Sequence, residues 1–205
     1  MINKKYWDNF YKLNLAPKVE SSFARFVYDF ITAQQLNSPK LIDVACGNGR
    51  DTFFFQQNGI ESAGVDISVK PNTESPIFIK ENILDFDYSP YDIIYLRFIV
   101  HALKEEELEQ LISQIKRSQK EQLIFIETRS SKKITDEPKS ETYFKSPIGE
   151  KHFRMLYSEE YLTTKLKEHF YVELVKEDHG FAIYKGADPV CIRYVLKNEF
   201  NKTEH

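Results

Sequence analysis

Short apolar runs alternate along the chain with segments of helical period, and the alternation predicts an α/β fold. Leu41-Ile42-Asp43-Val44 is nearly continuous in apolar residues, as in a parallel strand covered on both faces. Before it, Pro17 precedes a stretch in which Phe23, Phe26, Val27, Phe30 and Ile31 share one helical face, predicting a helix laid over the sheet. After it, residues 52–57 read as a helix stopped at Asn58-Gly59. Strands follow at 62–66, 77–80, 91–96 and 122–127, with a helix at 104–119 between the last two. That helix carries Glu105, Glu106 and Glu107 at its start and Lys116 and Arg117 near its end, in keeping with its dipole. Ser158-Glu159-Glu160 caps a helix at 161–170, and strands at 171–176 and 190–196 complete the pattern. Arg193 alternates within the final strand as an edge charge would.

Two stretches break the rhythm. Only ten residues, Pro71 and Pro76 among them, separate Asp66 from Ile77, fewer than a parallel crossover normally uses, so a loop or single turn is expected there. Residues 129–157 show no clear period, and loops of that length are usually functional or disordered. The order strand, helix, strand, loop, strand, strand, helix, strand, helix, strand, strand describes a doubly wound, mostly parallel α/β sheet in a single domain over 1–205.

The candidate chemistry starts where the first strand ends. Ala45, Gly47 and Gly49 let the backbone turn sharply toward a ligand, and the helix after them points its first N–H groups at the same place. Asp43 puts a carboxylate just before that turn, where it would repel a pyrophosphate and attract a cation such as the amino group of a methionine moiety. A second acid, Asp66, follows seventeen residues after Gly49, near the spacing at which an acid takes ribose hydroxyls. Gly47-Asn48-Gly49-Arg50-Asp51-Thr52 lacks the third small residue of the dinucleotide fingerprint, so Asp43 and this gap together count against a dinucleotide oxidoreductase.

Residues 43–51, Asp-Val-Ala-Cys-Gly-Asn-Gly-Arg-Asp, with Gly64-Val65-Asp66 after them, resemble motif I and the following acidic position of the class I S-adenosylmethionine-dependent methyltransferases. The resemblance spans about residues 40–197 and implies a Rossmann-like seven-stranded sheet with its last strand antiparallel. It implies that Ala45, Gly47, Asn48 and Gly49 lie under the methionine part of S-adenosylmethionine, and that Asp66 binds the ribose with Ile67 beside it. Asn82 matches the position that accepts from the adenine amino group, with the backbone of Ile83 facing the ring and Leu96 completing the set. Asp85 could take that role instead, or the segment could be an ordinary turn. In related enzymes an N-terminal aromatic segment closes over the cofactor, for which Tyr6 and Tyr11 are the candidates in the arm and helix of 1–38. Packing of those aromatics onto the core is the alternative.

Composition narrows the partners. Lys and Arg number 28 against 31 Asp and Glu, a net charge of −3, which disfavours nucleic acid as a partner. Two cysteines, Cys46 and Cys191, form neither a disulfide framework nor a metal-ligand cluster, so no metal and a cytoplasmic, reducing compartment are expected. No apolar run is long enough for a membrane span. Residues 129–154, in contrast to the whole chain, hold seven Lys and Arg against four Asp and Glu, as suits a small anionic acceptor. A solvated basic loop is the plain alternative.

Arg97 arrives at the carboxyl edge of the sheet with His101 one helical turn later, and Glu127-Thr128-Arg129 ends at the same edge. A surface ion pair and a satisfied histidine would be the structural readings of the first two. An acceptor hydroxyl would need a general base, with His101, His152 and Glu127 as candidates. A phosphate or phosphoramidate oxygen would need only cations such as Arg97, Arg129 and Arg154. These segments, with residues 180–185 and 188–193, resemble methyltransferases of bacterial capsule and surface-polysaccharide gene clusters, some of which act on phosphate-type or phosphoramidate groups. A chalcogen methyltransferase of the tellurite-resistance type and a non-catalytic S-adenosylmethionine-binding module are the rival readings.

Overall fold

The computed structural model describes residues 16–67, 77–145 and 151–199, together with 7, 9 and 13. Seven strands form the main sheet in the order β3-β2-β1-β4-β5-β9-β8. They are β1 (Lys40–Val44), β2 (Glu61–Val65), β3 (Phe78–Ile79), β4 (Ile93–Arg97), β5 (Gln122–Arg129), β8 (Tyr171–Asp178) and β9 (Cys191–Asn198). The first five pair in parallel, whereas β9 is antiparallel to both β5 and β8, as expected. The crossover at 68–76, with its expected loop or turn, lies outside the described residues.

The alternation of side chains sends neighbouring residues to opposite faces and so builds two cores. On one face Leu41, Ile93, Tyr95, Phe125 and Val195 meet helix α1 (Ser22–Ala33) through Phe23, Ala24, Val27 and Ile31. Ser21 caps α1, its hydroxyl accepting from the Ala24 N–H at 3.0 Å. On the other face Ile42, Val44, Ile94, Leu96, Ile124 and Ile126 meet Leu108, Leu111, Ile112 and Ile115 of α3 (Glu105–Lys116), with Leu162 and Leu166 of α4 (Glu159–Lys167) in the same cluster. The short α2 (Arg50–Gln57) follows the glycine turn and stops at Asn58 and Gly59. Ser158 caps α4, accepting from the Tyr161 N–H at 3.2 Å.

Two expectations are corrected. The stretch 129–157 contains an antiparallel hairpin of β6 (Lys139–Lys145) and β7 (Lys151–Tyr157), paired from Lys139↔Tyr157 to Lys145↔Lys151. Its period was hidden because β7 buries successive residues, Met155, Leu156 and Tyr157 among them, where a half-exposed strand would alternate. Nor is Arg193 an edge charge. Strand β9 lies between β5 and β8, and Arg193 is buried there.

Candidate functional site

The turn after β1 runs through left-handed backbone at Ala45, Gly47 and Gly49, with φ of 58°, 62° and 73°. A Cβ on Gly49 would stand 2.3 Å from the Phe78 ring, so this position needs glycine for both conformation and space. Ala45 holds the same conformation with a side chain, its N–H bonded to the Val65 carbonyl at 2.8 Å. Left-handed backbone costs a residue with a Cβ roughly 1–2 kcal/mol, while glycine loosens the unfolded chain by somewhat less. Ala45→Gly is therefore expected to be neutral or to stabilise by up to about 1 kcal/mol. Urea unfolding measures this, and a loss of 1 kcal/mol or more would show that Ala45 is not strained.

A cavity of about 580 Å³ opens above this turn at the carboxyl ends of the parallel strands. Its acidic end is formed by Asp43, Asp51 and Asp66. Asp43 accepts from Thr52 Oγ1 at 2.6 Å, and among the described residues it makes no other hydrogen bond. Burial, reinforced by the charge of Asp51, pushes its carboxyl up to about 8. Asp66 accepts from the Gly47 N–H at 3.1 Å. Sequence reasoning passed over Asp51, which accepts from the Ser21 N–H at 2.7 Å, the Ser21 hydroxyl at 2.8 Å and the Tyr95 hydroxyl at 2.8 Å. Asn48 donates to the Pro17 carbonyl at 2.8 Å and Arg50 to that of Val19 at 2.9 Å, so the segment before α1 is fastened onto the glycine turn.

Basic groups line the same cavity. Arg97 and Arg129, at the ends of β4 and β5, both line the cavity. Arg97 Nε donates to Glu127 Oε1 at 3.0 Å, and Glu127 Oε2 takes Arg193 Nη2 at 2.7 Å. Arg129 has no ion pair among the described residues, and its buried Nε has no hydrogen-bond partner. Between the two guanidiniums stands Phe98, with ring centroid 4.4 Å from Arg97 Cζ and 5.6 Å from Arg129 Cζ. Phe98 holds a φ of 59°, a strain of about 1–3 kcal/mol of the kind that collects at functional sites. The far wall is the β8–β9 loop, through Phe181, Ile183, Tyr184 and Pro189.

The remaining candidate bases lie elsewhere. His101 is buried in the short 3₁₀ turn Val100–Ala102 outside the cavity lining, and its Nδ1 accepts from the Arg129 N–H at 3.2 Å and contacts Thr128 Oγ1 at 3.0 Å. That bond leaves the ring proton on Nε2. Burial, then the charges of Arg154 and Arg129, hold its pKa well below the usual histidine range. His152 is also buried, its Nε2 accepting from Arg154 Nε at 3.0 Å, and burial with the Arg154 charge brings it to about 4. Its ring centroid lies 6.3 Å from that of Trp7, which lines the cavity. Glu127 is wholly buried with both oxygens bonded to arginine.

Of the residues nominated from sequence, the structure brings Asp43, Ala45, Asn48, Asp66, Ile67, Ile83, Arg97 and Arg129 to one cavity. Gly47 and Gly49 shape the turn beneath it. Leu96 is buried in the sheet core. Asn82 does not reach the cavity: its Oδ1 accepts from the Leu84 N–H at 3.2 Å and its Nδ2 donates to Asp85 at 2.7 Å, so both residues are engaged in a local turn. His101, Glu127, His152 and Arg154 stand behind the lining. Tyr6 and Tyr11 lie outside the described residues. Among the described residues no group of three His, Cys, Asp or Glu is placed to hold a metal, and no helix is long and apolar enough to cross a membrane.

The fold is that of the class I methyltransferases, and residues 42–126 match the family model described as a methyltransferase domain. Among solved structures, the 1,6-didemethyltoxoflavin-N1-methyltransferase of Burkholderia thailandensis, with bound 1,6-didemethyltoxoflavin and S-adenosylhomocysteine, superposes with a TM-score of 0.74 at 14% identity over 95% of this chain and 86% of that one. An S-adenosylmethionine-dependent methyltransferase from Clostridium acetobutylicum gives 0.67 at 15% identity over 94% and 97%. A glycopeptide N-methyltransferase complexed with S-adenosylmethionine gives 0.61 at 14% identity over 85% and 94%. No curated protein matches the sequence.

Proposed function

We propose that the chain is an S-adenosylmethionine-dependent methyltransferase acting on an oxygen of a small anionic acceptor. The observation that carries the acceptor reading is Arg129, a cavity-lining guanidinium with a buried Nε that has no hydrogen-bond partner and no ion pair among the described residues. An uncompensated buried charge is expensive unless an anion arrives to meet it. The three candidate bases point the same way. His101 Nδ1, His152 Nε2 and both oxygens of Glu127 already accept hydrogen bonds, so an acceptor needing deprotonation would find no ready base among them. A phosphate-type or phosphoramidate oxygen is anionic from the start, and the segment resemblance to surface-polysaccharide methyltransferases suggests an acceptor of that kind.

The acidic and apolar lining residues fit the cofactor. Asp43 offers a buried carboxyl that can give up its proton to meet an ammonium, Asp66 an acid at ribose spacing along the chain, and Ile67 and Ile83 apolar surface. When bound, S-adenosylmethionine supplies an electrophilic sulfonium methyl, leaving as S-adenosylhomocysteine. The protein's part is alignment: Arg97 and Arg129 hold the acceptor oxygen over the methyl, and such positioning supplies several kcal/mol of the barrier. The solved neighbours that bear N-methyltransferase names share the fold, but the arginine pair favours an anion here.

The test is calorimetric titration with S-adenosylmethionine, S-adenosylhomocysteine and NAD, followed by labelled-methyl transfer to phosphorylated and phosphoramidate-bearing sugar nucleotides, with tellurite as the rival acceptor. Binding of the first two and transfer to a phosphate-type acceptor are expected. Transfer to tellurite alone would replace the acceptor reading, binding without any transfer would favour a non-catalytic module, and a preference for NAD would remove the cofactor assignment.

A further inference from the structure

Arg193 lies outside the cavity lining, yet it joins three parts of the cavity's surroundings. Its Nε donates to Glu127 Oε2 at 2.8 Å, and Nη2 lies 2.7 Å from the same oxygen as an ion-pair contact, leaving Oε1 for Arg97 Nε at 3.0 Å. Nη2 also donates to Ser22 Oγ at 2.8 Å, in the first turn of α1, and to the Phe181 carbonyl at 3.1 Å. The guanidinium lies 4.2 Å from the centroid of the Phe181 ring, which lines the cavity.

We propose that Arg193 is a positioning residue for acceptor binding: it locks Glu127 so that Glu127 aims Arg97 into the cavity, and it holds the Phe181 wall against the same end. The proposal rests on the anionic-acceptor reading for its consequence, though not for its geometry. Glu127 and Arg193 are register partners across β5 and β9, in the middle of a sheet whose neighbouring pairs are Ile126↔Tyr194 and Phe125↔Val195. Sheet stability alone would be served as well by an apolar pair, since replacing a buried ion pair with well-packed apolar residues is often neutral or stabilising. The charges have a use if they orient the third member. Arg97 spends only its Nε on Glu127, and among the described residues Nη1 and Nη2 make no hydrogen bond, which leaves them for an anion in the cavity. A guanidinium held at Nε by a fixed carboxylate presents its other edge in one direction, as two-pronged recognition requires.

The experiment compares wild type, Arg193→Met, Glu127→Gln and the double variant, each saturated with S-adenosylhomocysteine. Three quantities are read: the thermal midpoint, the affinity for inorganic phosphate by phosphorus NMR line broadening, and the solvent exchange of the Arg97 Nε–H by proton NMR. Arg193→Met is expected to lower the midpoint, to weaken phosphate about tenfold, as for one misplaced charge-assisted hydrogen bond, and to speed exchange at Arg97. As a separate control by calorimetric titration of the ligand-free variants, S-adenosylhomocysteine affinity should stay within about twofold, because no proposed cofactor contact is changed. The double variant removes both buried charges together and should regain much of the midpoint while phosphate stays weak. A purely structural role predicts that phosphate affinity recovers with the midpoint, and that outcome overturns the proposal, as does unchanged Arg97 exchange in Arg193→Met. If wild type binds S-adenosylhomocysteine but no phosphate, the anionic-acceptor reading fails, and the exchange of Arg97 still decides whether Arg193 positions it.

Discussion

Asp43→Asn is expected to weaken S-adenosylmethionine binding by about 100-fold or more, the usual range for losing one partner of a buried charge pair, while making the ligand-free protein more stable at alkaline pH. The sign follows from proton counting. The Asp43 carboxyl sits at about 8 in the folded protein against an ordinary value of 3.8. Between those two values the folded state keeps a proton that the unfolded chain has released, so stability falls as pH rises through the window. Above it wild type carries the full penalty of a buried carboxylate, and asparagine carries none while still able to accept from Thr52. The advantage of the variant should therefore grow from about pH 4 to about pH 8 and then level off. Binding follows the same proton. An ammonium is met by the carboxylate, so below about pH 8 ligand binding should release a proton, affinity should rise with pH, and the calorimetric heat should depend on the buffer. Thermal midpoints at about pH 6 and pH 9, with titrations in two buffers, check both halves. Equal pH dependence in variant and wild type would mean that Asp43 is not the group that carries the proton.

Arg129→Met should produce the mirror image among the basic groups of the same cavity. Acceptor kcat/KM is expected to fall by about 100-fold or more, since the lost group would contact the reacting anion directly. Affinity for S-adenosylmethionine should hold. The ligand-free protein should gain about 1–3 kcal/mol, the cost of leaving a buried donor unsatisfied, because Arg129 Nε has no partner to lose. Denaturant unfolding together with steady-state transfer assays separates the two effects. A destabilised variant with a normal KM would show that Arg129 supports the fold and does not await an anion. Taken together, Asp43 holds a proton that a carboxylate in water would release, and Arg129 has no ion pair among the described residues, so each should be easier to stabilise than to keep active.

Much of this was legible in the sequence. The glycine turn, the two acids flanking it and the two arginines at strand ends are local features, and strand periodicity places their backbones at one sheet edge whatever the detailed packing. What escaped depended on contacts between distant residues. Asp51 looks like an ordinary helix-start acid until Ser21 and Tyr95 close on it from elsewhere in the chain. Glu127 and His101 have the right chemistry at the right edge, but only the packed structure shows their lone pairs already engaged. Asn82 matched by position, and a turn of three residues redirected its amide. Arg193 was misjudged because strand order in the sheet, not order in the chain, decides which strand is an edge. The hairpin of β6 and β7 shows the complementary limit, since a strand buried along most of its length has no period to read.

The place of β9 has a further consequence for how the protein is made. It follows every other described strand in the chain, yet it pairs with β5 along Gln122↔Asn198 to Arg129↔Cys191 and carries β8 on its other side. During vectorial synthesis the glycine turn and its acids can assemble early, because β1, β2 and β4 are already available. Glu127, in contrast, must wait for Arg193 to emerge before its charge is matched on that side, and β8 has no neighbour in the main sheet until then. A nascent chain can thus hold a formed glycine turn while the Glu127 arginine network is still unmade, with an open strand edge at β5 where chaperones or wrong partners can act.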